Sequence, residues 1–144
     1  MKLPALSLRI FSGVFFLCVV SDTTFAQDVS SRFSYKKYVD KGDTLLYRQL
    51  VPDYDTVRKY PLVIFLHGSG ERGRDNEAQL KWGVGNFATD EMMKLHPAFV
   101  IAPQCPPGQV WSHFSKYNKG EMQLLPLPSR PLEMVIALIH ESVK

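Results

Sequence analysis

The sequence predicts a single α/β domain in which an antiparallel hairpin is followed by parallel strands that helices cover. Three features indicate this class: a hairpin pattern over residues 33–51, an uninterrupted apolar run over residues 62–66, and helical spacing of apolar residues from Leu132 onward. The chain has 144 residues, of which 45% are apolar and 22% are charged, which suits one folded domain. A net charge of +3 favours neither nucleic acid nor an anionic membrane as a partner.

Residues 1–26 have the pattern of a cleavable signal peptide. The basic residues Lys2 and Arg9 precede the apolar run Ile10–Val20, which is too short to cross a bilayer. The segment ends at Ala26 with a suitable cleavage site. We therefore expect a secreted or periplasmic protein with no membrane anchor after cleavage.

Residues 27–144 are then the folded, partial domain, in which Cys105 is the only cysteine and a disulfide is excluded. The polar lead-in, residues 27–32, is expected to be frayed. The hairpin has its strands at residues 33–39 and 44–51. Turn chemistry between the strands is supplied by Asp40, Lys41, Gly42 and Asp43.

Two apolar runs predict strands that are buried on both faces, as in a parallel sheet covered by helices. The first is Leu62–Leu66, which we expect at the centre of the fold, and the second is Phe99–Ala102. A short helix between them begins after Thr89, a good N-cap residue, and stops at Pro97.

The last predicted element is a helix with Ser129 as its cap and Pro131 in its first turn. Its apolar positions at helical spacing are Leu132, Val135, Ile136, Ile139 and Val143. The preceding segment, residues 103–131, is mostly a proline-rich loop that is long enough for a functional role. Because a crossover helix normally leads into another strand, we expect the rest of the domain to be encoded beyond Lys144.

A glycine-rich segment follows the first apolar strand. Its glycines fit G-x-G-x-x-G and the glycine spacing of a P-loop, so nucleotide or phosphate binding is one alternative. They are Gly68, Gly70 and Gly73. Arg74 and Asp75 stand where a P-loop needs Lys and Ser/Thr, and the next strand does not end on the acidic residue that a dinucleotide site needs.

Acyl transfer is the second interpretation of this loop. It builds negative charge on a carbonyl oxygen, which preorganised backbone N–H groups must approach closely, and glycine permits that approach. Oxyanion loops of this kind follow the third strand of their sheet, and Leu66–Gly70 follows the third strand of the predicted series.

The stretch Tyr60–Gly73, with Asp75 and Asn76 beyond it, resembles secreted α/β-hydrolases of the phospholipase/carboxylesterase and dienelactone-hydrolase-like group, which includes predicted peptidases and feruloyl-esterase-like enzymes. Phe99–Pro106 is similar to the family's next strand. The resemblance implies the N-terminal part of an α/β-hydrolase sheet and an ester or peptide substrate in the complete enzyme.

Carried over by position, the resemblance places the backbone N–H of Ser69 in an oxyanion hole, flanked by Gly68 and Gly70, with no role for the Ser69 hydroxyl. It also makes Trp111 and Ser112 possible pocket-lining residues. Loop support is expected from His67 and Gly73.

The sequence departs from the family at the nucleophile. No G-x-S-x-G occurs in the chain, and Ser69 has His67 where that motif needs glycine. The catalytic serine, acid and histidine are therefore expected outside these residues, so that the chain alone is inactive. No histidine has metal-site spacing to another ligand, and neither a metal nor a cofactor is predicted. A non-catalytic secreted binding module remains a further alternative.

Overall fold

The computed structural model describes residues 28–52, 58–114 and 124–143. The predicted signal peptide, with its cleavage site after Ala26, lies outside these residues, as does the middle of the proline-rich loop. Within the described ranges, no helix is both long enough and apolar enough to cross a membrane.

Four strands form one mixed sheet in the order β1-β2-β4-β3. Strand β1 pairs antiparallel with β2, β2 pairs antiparallel with β4, and β3 pairs parallel with β4. The strands are Ser34–Asp40 (β1), Asp43–Leu50 (β2), Leu62–Ile64 (β3) and Phe99–Pro103 (β4). The predicted class, a hairpin followed by parallel strands, is confirmed.

The hairpin closes through a two-residue turn, Lys41 and Gly42, which lies within the predicted turn segment. Lys41 and Gly42 both have positive φ, at 49° and 86°, as a type I′ turn requires. The turn is also held from outside, because the Arg130 guanidinium lies 3.0 Å from the Asp40 carboxylate and 2.7 Å from that of Asp43. These contacts join the hairpin to the last helix.

Two α-helices are present in the described part of the chain, α1 at Asp90–Leu95 and α2 at Arg130–Ser142. Both begin at the predicted caps: the Thr89 hydroxyl accepts a hydrogen bond from the N–H of Met92, and the Ser129 hydroxyl accepts one from the N–H of Leu132. The remaining helical turns are short 3₁₀ segments at Val29–Arg32, Ser69–Glu71, Ala78–Leu80 and Val84–Ala88.

The expectation of a frayed lead-in is wrong. Residues Val29–Arg32 form a 3₁₀ turn capped by the Asp28 carboxylate, which accepts from the N–H of Ser30. The Arg32 guanidinium donates to the carbonyl of Ala88 at 2.8 Å and contacts the Asp90 carboxylate. The polar composition of the lead-in therefore reflects capping and long-range pairing.

The predicted apolar face of α2 is partly wrong. Ile136 and Val143 are 42% and 65% exposed. The buried side chains of α2 recur at intervals of three or four residues and form a stripe that differs from the predicted one. Ile136 lies outside this stripe. That stripe consists of Pro131, Met134, Val135 and Leu138.

The most apolar run of the sequence is not at the centre of the described sheet, which is a further correction. Strand β3 covers only Leu62–Ile64, its residues are half-buried, and it is the edge strand of the described sheet. Leu66, which we expected within it, is 41% exposed. An apolar run indicates that both faces of a strand are covered, but it carries no information about the number of neighbouring strands.

Strand β4 is instead the centre of packing. Val100 and Ala102 join a core cluster on one face of the sheet with α1 and the 3₁₀ turn before it, while Ile101 joins a second cluster on the other face with α2. Both core layers therefore meet at β4, and the carboxyl end of β4 is held firmly where the glycine-rich loop passes.

Replacing Ile101 by Ala should lower the free energy of unfolding by about 2–5 kcal/mol, because its side chain fills the cluster beneath α2. The matched control is Ile136→Ala, which should cost about 1 kcal/mol or less because that side chain is exposed. Urea unfolding followed by circular dichroism measures both. Equal losses would show that Ile136 faces the core.

Candidate functional site

The glycine-rich loop lies at the carboxyl end of strand β3, next to the carboxyl end of the parallel strand β4. Gly68 is extended, with φ −77° and ψ −172°, and Ser69–Glu71 then form a 3₁₀ turn. Gly68, Ser69 and Gly70 are all exposed. The predicted oxyanion residues thus lie at one exposed bend where two parallel strands end.

His67 holds the start of this bend, and its hydrogen bonds fix the tautomer of its ring. Its ring is almost fully buried, and Nε2 accepts the backbone N–H of Cys105 at 2.9 Å. Nδ1 must then carry the proton, and it donates to the carbonyl oxygen of Gly68 at 2.6 Å. Because both ring nitrogens are occupied within the fold, His67 is a loop-holding residue in this geometry and is not available as a base.

Trp111 contacts the same corner from the other side. Its indole N–H donates to the carbonyl of His67 at 3.0 Å, and the two rings meet edge-on with centroids 5.3 Å apart. Ser112 follows it and is half-buried. The structure therefore brings the segment after β4 against the first residue of the loop.

Gln104 holds the far end of the loop, and sequence reasoning missed it. Its side chain is buried, its Oε1 accepts the N–H of Asn76 at 2.8 Å, and its Nε2 donates to the carbonyl of Glu71 at 3.2 Å. The N–H of Gly73 donates to the carbonyl of Cys105 at 3.1 Å. A polar residue directly after a strand as apolar as β4 is the one sequence signal that could have indicated this role.

Asp75 and Asn76 complete the far end. The Asp75 carboxylate accepts from the N–H groups of Ala78 and Glu77 and from Gln104 Nε2, and these bonds hold its pKa below the usual range for an aspartate. Asn76 has a positive φ of 57°, and its side-chain amide donates to the carbonyl of Tyr47 in β2 at 3.1 Å. The loop is thus tied to two strands at once.

Between the two attachments lie backbone amides that have no partner among the described residues. In a 3₁₀ turn each N–H bonds three residues back, so the first amides of the turn have no partner within it. Across the described residues, the N–H groups of Ser69 and Gly70 also make no hydrogen bond outside the turn. The loop is held at both ends, and between them Ser69 and Gly70 are exposed residues whose N–H groups have no partner in the described part of the chain.

A cavity of about 430 Å³ lies beside the far end of the loop. Gly73, Arg74 and Gln104 line it together with the start of β2 and the start of α2, whereas residues 68–70 do not. Residues 68–70 are therefore exposed outside this cavity.

The geometry gives no support to phosphate binding. Both phosphate motifs need a long helix to begin at the loop, so that its amino terminus faces the anion. The loop here leads into the 3₁₀ turn Ser69–Glu71, and the next α-helix along the chain, α1, begins at Asp90.

Neither a metal centre nor a reactive thiol is evident in the described ranges. Within them, no three His, Cys, Asp or Glu side chains are grouped as metal ligands. Burial raises the pKa of the Cys105 thiol, an effect that the nearby Arg72 guanidinium opposes. Cys105 is therefore a neutral, buried thiol at physiological pH.

No protein-family model and no curated protein matches the chain. Among solved structures, the crystal structure of a thermostable esterase matches with a TM-score of 0.68 and 39% sequence identity. The match covers 78% of this chain, and the chain spans about 30% of the length of the esterase. The chain thus has an α/β-hydrolase-like fold, and its hairpin, parallel strands and helices correspond to part of an esterase.

Gly73→Ala should disrupt the far attachment of the loop. A Cβ atom at this position would lie 2.7 Å from Gln104 Nε2, so the buried amide would have to leave its partners at Glu71 and Asp75. We expect a loss of about 1–3 kcal/mol in the free energy of unfolding. The matched control is Gly70→Ala, because a Cβ there meets nothing within 4 Å. Equal stability of both variants in urea unfolding would contradict the role of Gln104.

Proposed function

We propose that this chain carries the oxyanion loop of a carboxylic-ester hydrolase, with the N–H of Ser69 as a donor and Gly68 and Gly70 on either side. The observation that carries the proposal is the pair of unpaired amides between two rigid attachments at the end of parallel strands. The similarity to a thermostable esterase supports an ester as the substrate in preference to a peptide.

The chemistry follows from this arrangement. Attack on an ester carbonyl places negative charge on its oxygen, and donors that already point there stabilise the charge without rearranging. The bonds of His67 to Gly68 and of Gln104 to Glu71 and Asn76 fix the backbone on either side of Ser69. One such donor contributes roughly 10²- to 10³-fold to kcat.

The other catalytic groups are proposed to lie outside these 144 residues. The chain has no G-x-S-x-G. Both nitrogens of His67 are engaged, and Cys105 is a buried, neutral thiol. We further propose that residues 1–26 direct export, which would make the enzyme secreted or periplasmic.

The amide of Ser69 can be removed with little change to the backbone. Ser69 is the first residue of a 3₁₀ turn and follows the extended Gly68, and proline accepts both conditions. The test joins this chain to the part of the thermostable esterase that it does not match, and compares Ser69→Pro with Ser69→Ala. Ser69→Pro should lower kcat by roughly 10²- to 10³-fold, and Ser69→Ala, which keeps the amide, should leave it nearly unchanged.

Two outcomes would contradict the proposal. If Ser69→Pro kept full activity, its amide would not be a donor to the oxyanion. If Ser69→Ala lost as much activity as Ser69→Pro, the hydroxyl would matter and the assigned chemistry would be wrong. As a control on the missing nucleophile, a fluorophosphonate probe should leave the 144-residue chain unlabelled, including at Ser69 and Ser112.

A further inference from the structure

A continuous series of hydrogen bonds runs from helix α2 to the glycine-rich loop. It begins at Ser129, which is 1% exposed and caps the helix by accepting the N–H of Leu132 at 3.4 Å. The Ser129 hydroxyl donates in turn to the carbonyl of Trp111 at 2.7 Å. One hydroxyl group therefore both caps α2 and binds the segment that precedes it.

The series continues through two rings. The Trp111 indole N–H donates to the carbonyl of His67 at 3.0 Å, and His67 Nδ1 donates to the carbonyl of Gly68 at 2.6 Å. Three bonds thus connect the amino terminus of a 13-residue helix with the residue before Ser69.

The direction of each bond is fixed by chemistry. The Ser129 hydroxyl has one hydrogen, and that hydrogen is directed at Trp111 because the cap uses a lone pair of the oxygen. An indole nitrogen can only donate, and the His67 tautomer is set by the N–H of Cys105, which can only be a donor to Nε2. The series therefore has one set of donors and acceptors and cannot reverse.

We propose that Trp111 and Ser129 are positioning residues for the oxyanion loop, acting on Ser69 and Gly70 through His67. This inference rests on the proposed function for its catalytic meaning. In this proposal Trp111 positions the loop, a role other than lining a pocket. The direction of the loop amides then depends on the position of α2.

An isosteric pair of substitutions separates the relay from helix capping. Asp and Asn are both good N-caps, but only Asn keeps an N–H that can donate to the Trp111 carbonyl. Ser129→Asp therefore removes the relay bond and keeps the cap, whereas Ser129→Asn keeps both. Trp111→Phe keeps an aromatic ring and removes the indole donor.

Two controls complete the set. Trp82→Phe removes an indole that is 63% exposed, and Thr89→Ala removes the cap of α1 without touching the relay. The readout is the backbone amide resonances of Ser69 and Gly70 in the ¹⁵N-labelled 144-residue chain, together with the unfolding midpoint.

Ser129→Asp and Trp111→Phe should displace the amide resonances of Ser69 and Gly70 beyond any change seen in the controls. Ser129→Asn should restore the wild-type positions. The proposal is overturned if the relay variants leave these resonances where the controls do, or if Ser129→Asn and Ser129→Asp behave alike.

The wild-type chain provides a measurement that does not depend on folded variants. The relay requires His67 to be neutral with its proton on Nδ1, which the side-chain ¹⁵N shifts of the imidazole report directly. A proton on Nε2 would overturn the relay. Neither measurement depends on catalysis, so both can succeed even if the loop binds no oxyanion. The Ser69→Pro comparison decides that question separately.

Discussion

The glycine-rich loop is held by the two residues that follow strand β4, and the candidate site depends on that attachment. Cys105 binds His67 with its N–H and Gly73 with its carbonyl, while the adjacent Gln104 binds the loop with its side chain. Strand β4 is packed on both faces of the sheet, so its end has little freedom. The loop is therefore held mainly by bonds to the end of β4, and few of its bonds lie within the loop itself.

The attachment of the loop to β4 places buried polar side chains next to the apolar core. Gln104, Asn76 and Gln79 have buried side-chain amides. Gln104 Oε1 accepts the backbone N–H of Asn76, and Asn76 Oδ1 accepts a hydrogen bond from Gln79 Nε2. A buried polar group left unpaired costs about 1–3 kcal/mol, and Gln79 Oε1 is one such atom among the described residues. Removing another member of the network would leave further buried groups unpaired. Consequently a single change inside it should move the loop even where no contact to Ser69 is lost.

Local chemistry made much of the fold predictable from the sequence. The turn at Lys41 and Gly42 and the caps Thr89 and Ser129 each depend on residues within a few positions, and they lie where the sequence places them. The position of the glycine bend after the third strand was also predictable, because the order of the strands along the chain follows from the same local patterns.

Tertiary pairing made the rest unpredictable. Gln104 binds Asn76 across 28 positions, and Trp111 binds His67 across 44, so neither role has a local signature. The buried face of α2 was misassigned at Ile136 because neighbouring apolar residues fit more than one helical stripe. Strand β3 was predicted at the centre of the fold but lies at the edge of the described sheet. Its apolar composition indicates that both of its faces are covered and does not indicate its position in the sheet.

Amide hydrogen exchange of the wild-type chain tests the central claim most directly. The amides of Ser69 and Gly70 should exchange at rates near those of an unstructured peptide, while those of Gly73 and Cys105 on either side of the site should be slower by roughly 100-fold or more. If Ser69 and Gly70 were as strongly protected as Gly73, their N–H groups would already be bonded, and the loop could not present them to a substrate.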